Sequence, residues 1–524
     1  MNAITIKALE EIKKMGVSHI WYTGLLEHAT QTDYTTYGIS LDHPAIVKGC
    51  AGSPYAIKDY YDIDPDLASV PDRRFKEFQN LIARTHRVGL KAIIDFIPNH
   101  VAREYHSDNT PPEQTQFGAN DNPALTFSTA NNFYYLTAPL QCQFDMQGSS
   151  DKPYQEIPAK ATGNDCFTPN PTRNDWYETI KLNYGINYSN NRSTHFDPIP
   201  DTWFKMKDIL LFWASLDIDG FRCDMAEMVP CEFWSWVIPI IKSQYPDIIF
   251  IAEIYSPHSY RRYIHEGHFD YLYDKVGLYD TLRQVSCGSM PASAITGCWQ
   301  AIDDIRQHML NFLENHDEQR IASDFFMGDG IKALPALIVS SCINTQPFML
   351  YCGQELGERG MDEEGYSGLD GRTTIFDYWS VKTIREWRHN GLFDGKNLSE
   401  SSRKLQNIYR SILTLSTGEK ALSQGLFFDL MYVNNDTPQF NPYKTYTFMR
   451  SFQKEHFLIA VNFDCKEVVQ SINIPQHAFD ILEIKQGTYQ ATEMLSGRKT
   501  TLNICTYAPC QVCIPAYSGV MLKF

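Results

Sequence analysis

The sequence predicts an α/β fold: a (β/α)8 TIM barrel that lacks its first strand, with an inserted subdomain and a C-terminal antiparallel β-sandwich. Three observations predict it. Short apolar, strand-like runs alternate with helix-periodic segments, as parallel βαβ units require. The alternation breaks off over residues 101–200, too long for an ordinary loop, and then resumes. After residue 417 helical periodicity disappears, and short alternating segments separated by turn residues replace it. A chain of 524 residues exceeds what one hydrophobic core usually serves. Residues 1–100 and 201–417 are assigned to the barrel, 101–200 to a subdomain inserted after its third strand, and 418–524 to the sandwich.

The barrel elements follow in order. Ile6, Leu9, Ile12 and Met15 share one face of a helix over 4–15, which Gly16 stops. A short apolar strand spans 17–23. A long loop holding 52–61 leads to a second helix over 73–88, closed by Gly89. Residues 91–95 form a continuous apolar strand ending on Asp95, as in a sheet buried on both faces. Beyond the insertion, helices are expected over 202–216, 231–245, 331–343 and near 401–416. Strands are expected over 219–224, 248–253, 269–274, 309–315 and 346–351.

That makes seven strands where a closed barrel needs eight, and a helix comes first where each barrel unit runs strand then helix. The missing strand is expected upstream of residue 1. An open barrel leaves unpaired backbone groups at two edges, each costing about 1–3 kcal/mol when buried. Upstream residues, a segment of the insertion or another copy of the chain should therefore fill the gap.

Composition narrows the function. A formal net charge of −16 argues against nucleic acid or an anionic membrane as partner, and suits a neutral substrate. Thirteen scattered cysteines imply no disulfide framework. Cys505, Cys510 and Cys513 lack a fourth ligand at zinc-site spacing and read as core cysteines. No stretch reaches the roughly 18 apolar residues of a membrane span. Residues 1–13 have no apolar signal-peptide core, so the expected location is the cytoplasm. An export signal upstream of Met1 would overturn that expectation. Nothing in the sequence fixes the oligomeric state.

The chemistry gathers at the C-terminal ends of the strands, where a parallel barrel builds its site. Arg222 and Asp224 lie two apart in one strand and so share a face. The guanidinium should lower the neighbouring pKa and keep Asp224 ionised. Glu253 follows five apolar residues, which should raise its pKa and keep it protonated. One carboxyl pushed up and one pushed down is the acid and nucleophile arrangement of a retaining glycosidase. Asp95 with Asn99 and His100, and Asn315 with His316 and Asp317, deliver further polar groups to the same rim. Asp224 with Arg222 alone would read as a structural ion pair. Three buried acids at strand ends would be costly without a purpose.

Four stretches occur in order: Asp95-Phe96-Ile97-Pro98-Asn99-His100, Gly220-Phe221-Arg222-Cys223-Asp224, Ile251-Ala252-Glu253 and Phe312-Leu313-Glu314-Asn315-His316-Asp317. This set resembles the α-amylase family, glycoside hydrolase family thirteen. The resemblance implies a (β/α)8 barrel with the insertion and the C-terminal sandwich. It implies that Asp224 attacks the anomeric carbon, that Glu253 protonates the leaving oxygen and then activates water, and that Asp317 holds the sugar's hydroxyls. It further implies that His100, His316, Arg222 and Arg320 bind the sugar or fix the nucleophile, and that Tyr55, four residues before Asp59, stacks on the ring. Asp95 and Asn99 support the site.

The sequence departs from the family pattern beyond the missing strand. Glu227 and Met228 stand where many amylases carry Lys and His. The calcium-linked segment Leu-Pro-Asp-Leu-Asp is absent; its place is taken by Lys181-Leu182-Asn183-Tyr184-Gly185, which has no carboxylate. Asn99 remains as one possible calcium ligand, but the reading is that no cofactor is required. The expected function is retaining hydrolysis of α-1,4-linked glucans such as starch, glycogen and maltooligosaccharides. The alternatives are a transglycosylase or α-glucosidase on the same scaffold, or an inactive or truncated glucan-binding homologue.

Overall fold

The computed structural model describes residues 1–142 and 153–524. The part of the expected insertion at 143–152 lies outside them. Seven parallel strands form one curled sheet, in sequence order across it. They are β1 (His19–Tyr22), β2 (Lys91–Phe96), β3 (Gly220–Cys223), β4 (Ile249–Ala252), β5 (Tyr271–Tyr273), β6 (Met309–Phe312) and β7 (Phe348–Met349). Helices Ile6–Lys13, Arg74–Arg87, Asp201–Ala214, Cys231–Gln244 and Leu334–Cys342 alternate with these strands. This is the (β/α)8 type of barrel.

The first helix is bounded by local signals. Thr5 caps Ile6–Lys13 by accepting from the Ala8 amide at 3.2 Å, and Gly16, at φ 85°, turns the chain beyond its end. Arg74–Arg87 buries Phe78, Leu81 and Ile82 along one stripe. The interior strands β2, β3 and β4 bury nearly every residue, which explains their unbroken apolar runs. The edge strands β1 and β7 are half-exposed over most of their length. Among the described residues no strand pairs with the outer side of either edge, and no segment of the insertion does so.

Between β2 and β3 the chain makes short antiparallel pairings, His100–Ala102 with Thr179–Lys181 and Ile186–Asn187 with Ser193–Thr194. A second hairpin, Leu26–His28 with Ile57–Ile63, rises from the end of β1.

The C-terminal region is antiparallel. Its six-stranded sheet runs Leu426–Asp429, Thr445–Phe452, Glu455–Asn462, Ser518–Lys523, Gly487–Glu493, Lys499–Ile504 in spatial order. A two-stranded ribbon, Val468–Ile472 with Cys510–Ile514, accompanies it. One apolar cluster joins this sheet to helices Leu334–Cys342 and Glu400–Gly418. Arg450 is buried there and donates to the Cys342 and Leu422 carbonyls at 2.7 and 2.8 Å. All thirteen cysteines are free. Cys510 is in the core as expected, but Cys513 is not. Strand Cys510–Ile514 alternates inward and outward, and Cys513 takes an outward place.

Candidate active site

Strand register brings the polar residues together. Asp95 on β2 lies directly opposite Arg222 on β3, and Cys223 opposite Ala252 on β4. The next residues, Asp224 and Glu253, therefore leave adjacent strand ends side by side. The Asp224 amide donates to the Phe96 carbonyl at 2.9 Å and that of Glu253 to the Cys223 carbonyl at 3.1 Å, continuing the ladder.

Arg222 is the centre of this cluster and is fully buried. One terminal nitrogen lies 2.8 Å from Asp224 Oδ1 and 3.2 Å from Asp95 Oδ1. The other lies 2.8 Å from Glu253 Oε2, close enough for an ion pair but not aligned as a hydrogen bond. Its Nε donates to the Tyr273 hydroxyl at 3.2 Å. The rings of Trp21, Tyr55 and Tyr273 surround the guanidinium at 5.0, 5.5 and 5.6 Å. Asp95 accepts from Trp21 Nε1 at 2.9 Å and from the Gly24 amide at 3.3 Å, so it orients the arginine.

The electrostatics differ from the sequence expectation. Arg222 was expected to favour Asp224 alone, but the structure shares it among three carboxylates. Burial, joined by the charges of Glu253, Asp95 and Asp317, pushes the Asp224 carboxyl well above the usual carboxylate range, against the lowering by Arg222. Glu253 does not sit in an apolar pocket. Tyr255 OH donates to its Oε1 at 2.6 Å and the Met225 amide to its Oε2 at 2.8 Å. Met225 presents that amide from a left-handed conformation, φ 41°, which is uncommon for a non-glycine residue and costs roughly 1–3 kcal/mol. Two close carboxyls sharing one cation favour retaining a proton between them, and the acid role needs that proton.

Asp317 stands five residues beyond β6. Its side chain is 46% exposed, not buried as expected, because the chain has left the sheet and carries it into the open mouth. His316 Nε2 lies 3.2 Å from it. Tyr55 stacks on the His316 ring at 5.1 Å with an 18° interplanar angle, and Trp21 meets the same ring edge-on at 5.7 Å. His100 sits on the Trp176 ring at 5.3 Å. Gly163 allows this packing: a Cβ there would lie 2.9 Å from the His100 side chain. Burial first and then Lys181 push His100 down to about 3, and burial with Arg222 pushes His316 down to about 4. Both imidazoles are neutral at pH 7 and suit hydrogen bonding to uncharged hydroxyls.

Arg320 does not join this group. Its guanidinium donates to Glu314 and the Cys352 carbonyl, both at 2.9 Å, and to Thr373 at 3.1 Å. It lies 3.9 Å over the Tyr351 ring and is buried. Its bonds give it a supporting role, holding Glu314 and the Cys352 segment.

Asn99 supports the site through the insertion. Its Nδ2 donates to the Gly163 carbonyl at 2.8 Å. Its Oδ1 accepts from the Lys181 ammonium, which also lies 2.6 Å from Asp165 Oδ1 and 3.4 Å from the Met228 carbonyl. Calcium takes oxygen ligands of this kind. The buried Lys181 ammonium stands among them, so the residues present do not fit a metal ion there.

Sequence reasoning missed Tyr255, Trp21 and Tyr273. The Tyr255 signal was available: it lies two residues beyond Glu253, the same spacing that placed Arg222 beside Asp224. Glu227, an unexplained departure above, accepts from the Tyr255 and Ser256 amides at 3.2 and 3.1 Å and so holds the loop that carries Tyr255.

Residues 2–404 match the family described as Alpha amylase, catalytic domain. Alpha-amylase MalA of Haloarcula japonica is 26% identical over 375 residues, covering 69% of this chain and 42% of the relative's length. Alpha-amylase 3 of Dictyoglomus thermophilum is 22% identical over 465 residues, covering 86% of this chain and 82% of the relative. The crystal structure of the α-amylase from Geobacillus thermoleovorans complexed with acarbose superposes with a TM-score of 0.61. Identity is 17%, with 99% of this chain and 92% of that chain covered. Among the described residues no helix is long and apolar enough to cross a membrane. With the family match spanning most of its length and the acids at the ends of β3, β4 and the β6 loop, the chain belongs to the α-amylase family of glycoside hydrolases.

Proposed function

We propose that the chain cleaves α-1,4 links in starch-like glucans with retention of configuration. The observation that carries this is the pairing of Asp224 and Glu253 through one guanidinium from adjacent strands. Neighbouring strands lie about 4.8 Å apart. That spacing suits the roughly 5–5.5 Å carboxyl separation of a retaining pair, not the 6.5–9.5 Å of an inverting one.

The chemistry runs in two steps. Asp224 attacks the anomeric carbon as Glu253 gives its proton to the leaving oxygen, and a covalent glycosyl-enzyme forms. Glu253, now a carboxylate, takes a proton from water, and the water displaces Asp224. Tyr55 on His316 offers an aromatic face to the ring. Asp317 and the two neutral imidazoles hold hydroxyls. The Geobacillus relative was solved with acarbose, which supports a glucan-like substrate. Lys181 supplies the positive charge at the insertion junction, so no metal is needed at that place.

Product analysis after incubation with maltooligosaccharides tests the proposal. Short products released first as the α-anomer are expected. Products longer than the substrate would assign transfer to another sugar instead of water. Release of the β-anomer, or no cleavage, would overturn it.

A further inference from the structure

At the base of the hairpin Leu26–His28 with Ile57–Ile63, Glu27 lies opposite Asp59 in register, and bulges flank the pair. Glu27, Asp59 and Asp62 are all buried, and one carboxylate oxygen from each lies within 4.8 Å of the others. Neither oxygen of Glu27 has a hydrogen-bond partner, although the residue is only 1% exposed. Buried carboxylates are ordinarily satisfied, so two orphan oxygens on one side chain require an explanation.

The surrounding charges do not provide one. Arg74 is engaged by Asp62, with Nε 2.9 Å from Oδ1. Lys58 is paired with Asp42 at 3.0 Å and His28 with Asp64 at 2.9 Å. Asp59 receives neutral donors: Ser107 Oγ at 2.6 Å and the Tyr61 and Asn109 amides at 2.7 and 2.9 Å. Each nearby cation thus neutralises one acid. Glu27 and Asp59 remain without a cationic partner among the described residues, a deficit of two charges.

We infer that Glu27, Asp59 and Asp62 form a binding site for a hard divalent cation of calcium's size. The donors are all oxygen, with no histidine or cysteine, which selects against zinc and the softer metals. Three protein carboxylates in one buried cluster suit calcium, which takes about six to eight oxygens in flexible geometry, better than magnesium, which keeps several waters and binds one or two carboxylates. The ion supplies the two missing charges and takes up the free oxygens of Glu27. It also ties both strands of the hairpin, through Asp62 and Arg74, to helix Arg74–Arg87. Tyr55 lies two residues before the hairpin's second strand, so the sugar platform rests on this clamp.

The rival explanation is a proton. Without a cation, burial and the charges of Asp59 and Asp62 push the Glu27 carboxyl up to about 9. The full chain, stripped with chelator and dialysed, separates the two. On adding calcium chloride, about one calcium per chain should be retained by atomic emission, and the melting temperature should rise. Magnesium should raise it less. Glu27→Gln should lose the retained calcium and the rise, while Asp165→Asn, at the insertion junction, should keep both. A chain that retains no calcium and melts at the same temperature with or without it would overturn the site in favour of the proton. So would calcium kept by Glu27→Gln and lost by Asp165→Asn. Should Glu27→Gln fail to fold, the calcium content and calcium-dependent melting of the parent chain decide alone.

Discussion

Two buried cations organise two parts of this molecule, and they are balanced differently. Arg222 sits among Asp95, Asp224 and Glu253, three carboxylates for one positive charge. Lys181 sits among Asp165, the Asn99 side-chain oxygen and a carbonyl, and the same carboxylate also meets the exposed Arg192 at 3.9 Å. The first cluster is short of charge and must share protons, which is what acid and nucleophile chemistry needs. The second has no shortage of positive charge and needs only geometry. Burial is common to both. Charge imbalance distinguishes the reactive cluster from the structural one.

The strongest way to break that comparison is to remove a reactive carboxylate while keeping its shape. Asp224→Asn should lower turnover of maltooligosaccharides by about 10³-fold or more, because the amide cannot form the glycosyl ester. Arg222 keeps Asp95 and Glu253 as partners, so folding and glucan binding should survive. Calorimetric titration with a maltooligosaccharide checks the binding. Turnover within about tenfold of the parent would show that Asp224 is not the nucleophile.

The same operation on the balanced cluster should act on stability instead. Lys181→Met keeps the aliphatic stem and deletes the ammonium, leaving the Asn99 oxygen unpaired and Asp165 with only Arg192 at 3.9 Å and the Tyr188 hydroxyl at 3.4 Å. Breaking a fully buried pair costs about 3–5 kcal/mol. Asp165 is 25% exposed and can recover water, so about 1–3 kcal/mol is expected from urea denaturation. The rate at saturating substrate should hold. A collapse in rate with unchanged stability would mean that the insertion cage acts directly in catalysis.

The two clusters were not equally legible in the sequence. The strands were read well because β2, β3 and β4 are buried on both faces and their apolar runs are unbroken. The acids followed from strand ends and from the order of the motifs. What surrounds each acid was harder, because it comes from elsewhere in the chain. Trp21 reaches Asp95 across 74 residues, and Lys181 reaches Asn99 across 82. Glu253 was assigned an apolar pocket from its own strand, but the Met225 amide from the neighbouring strand end supplies a donor. Arg320 was placed by spacing, which cannot show the turn that buries it against Glu314. Asp317 was taken as buried, yet its loop carries it clear of the sheet. Local pattern fixes which residues reach the rim; long-range contacts fix their protonation.

The finest test sharpens the comparison inside the reactive cluster. The Tyr255 phenol, held strongly protonated by burial and by Glu253, donates to Glu253 Oε1. A donor to a carboxylate favours its ionised form, so it opposes the protonated state needed in the first step. In the second step the same bond steadies the carboxylate that activates water. Tyr255→Phe should therefore slow the second step, which needs that carboxylate, more than the first. One hydrogen bond to a charged group is worth about 1.5–3 kcal/mol when intact, but this pair is only partly buried, so water can take the place of the lost hydroxyl. A rate change of about two- to tenfold is the expected scale. With an activated aryl glycoside, whose leaving group needs no proton, formation of the glycosyl-enzyme should be unaffected, and only its hydrolysis should slow. If both steps slow together with both substrates, the phenol serves only to pack the loop that Glu227 holds.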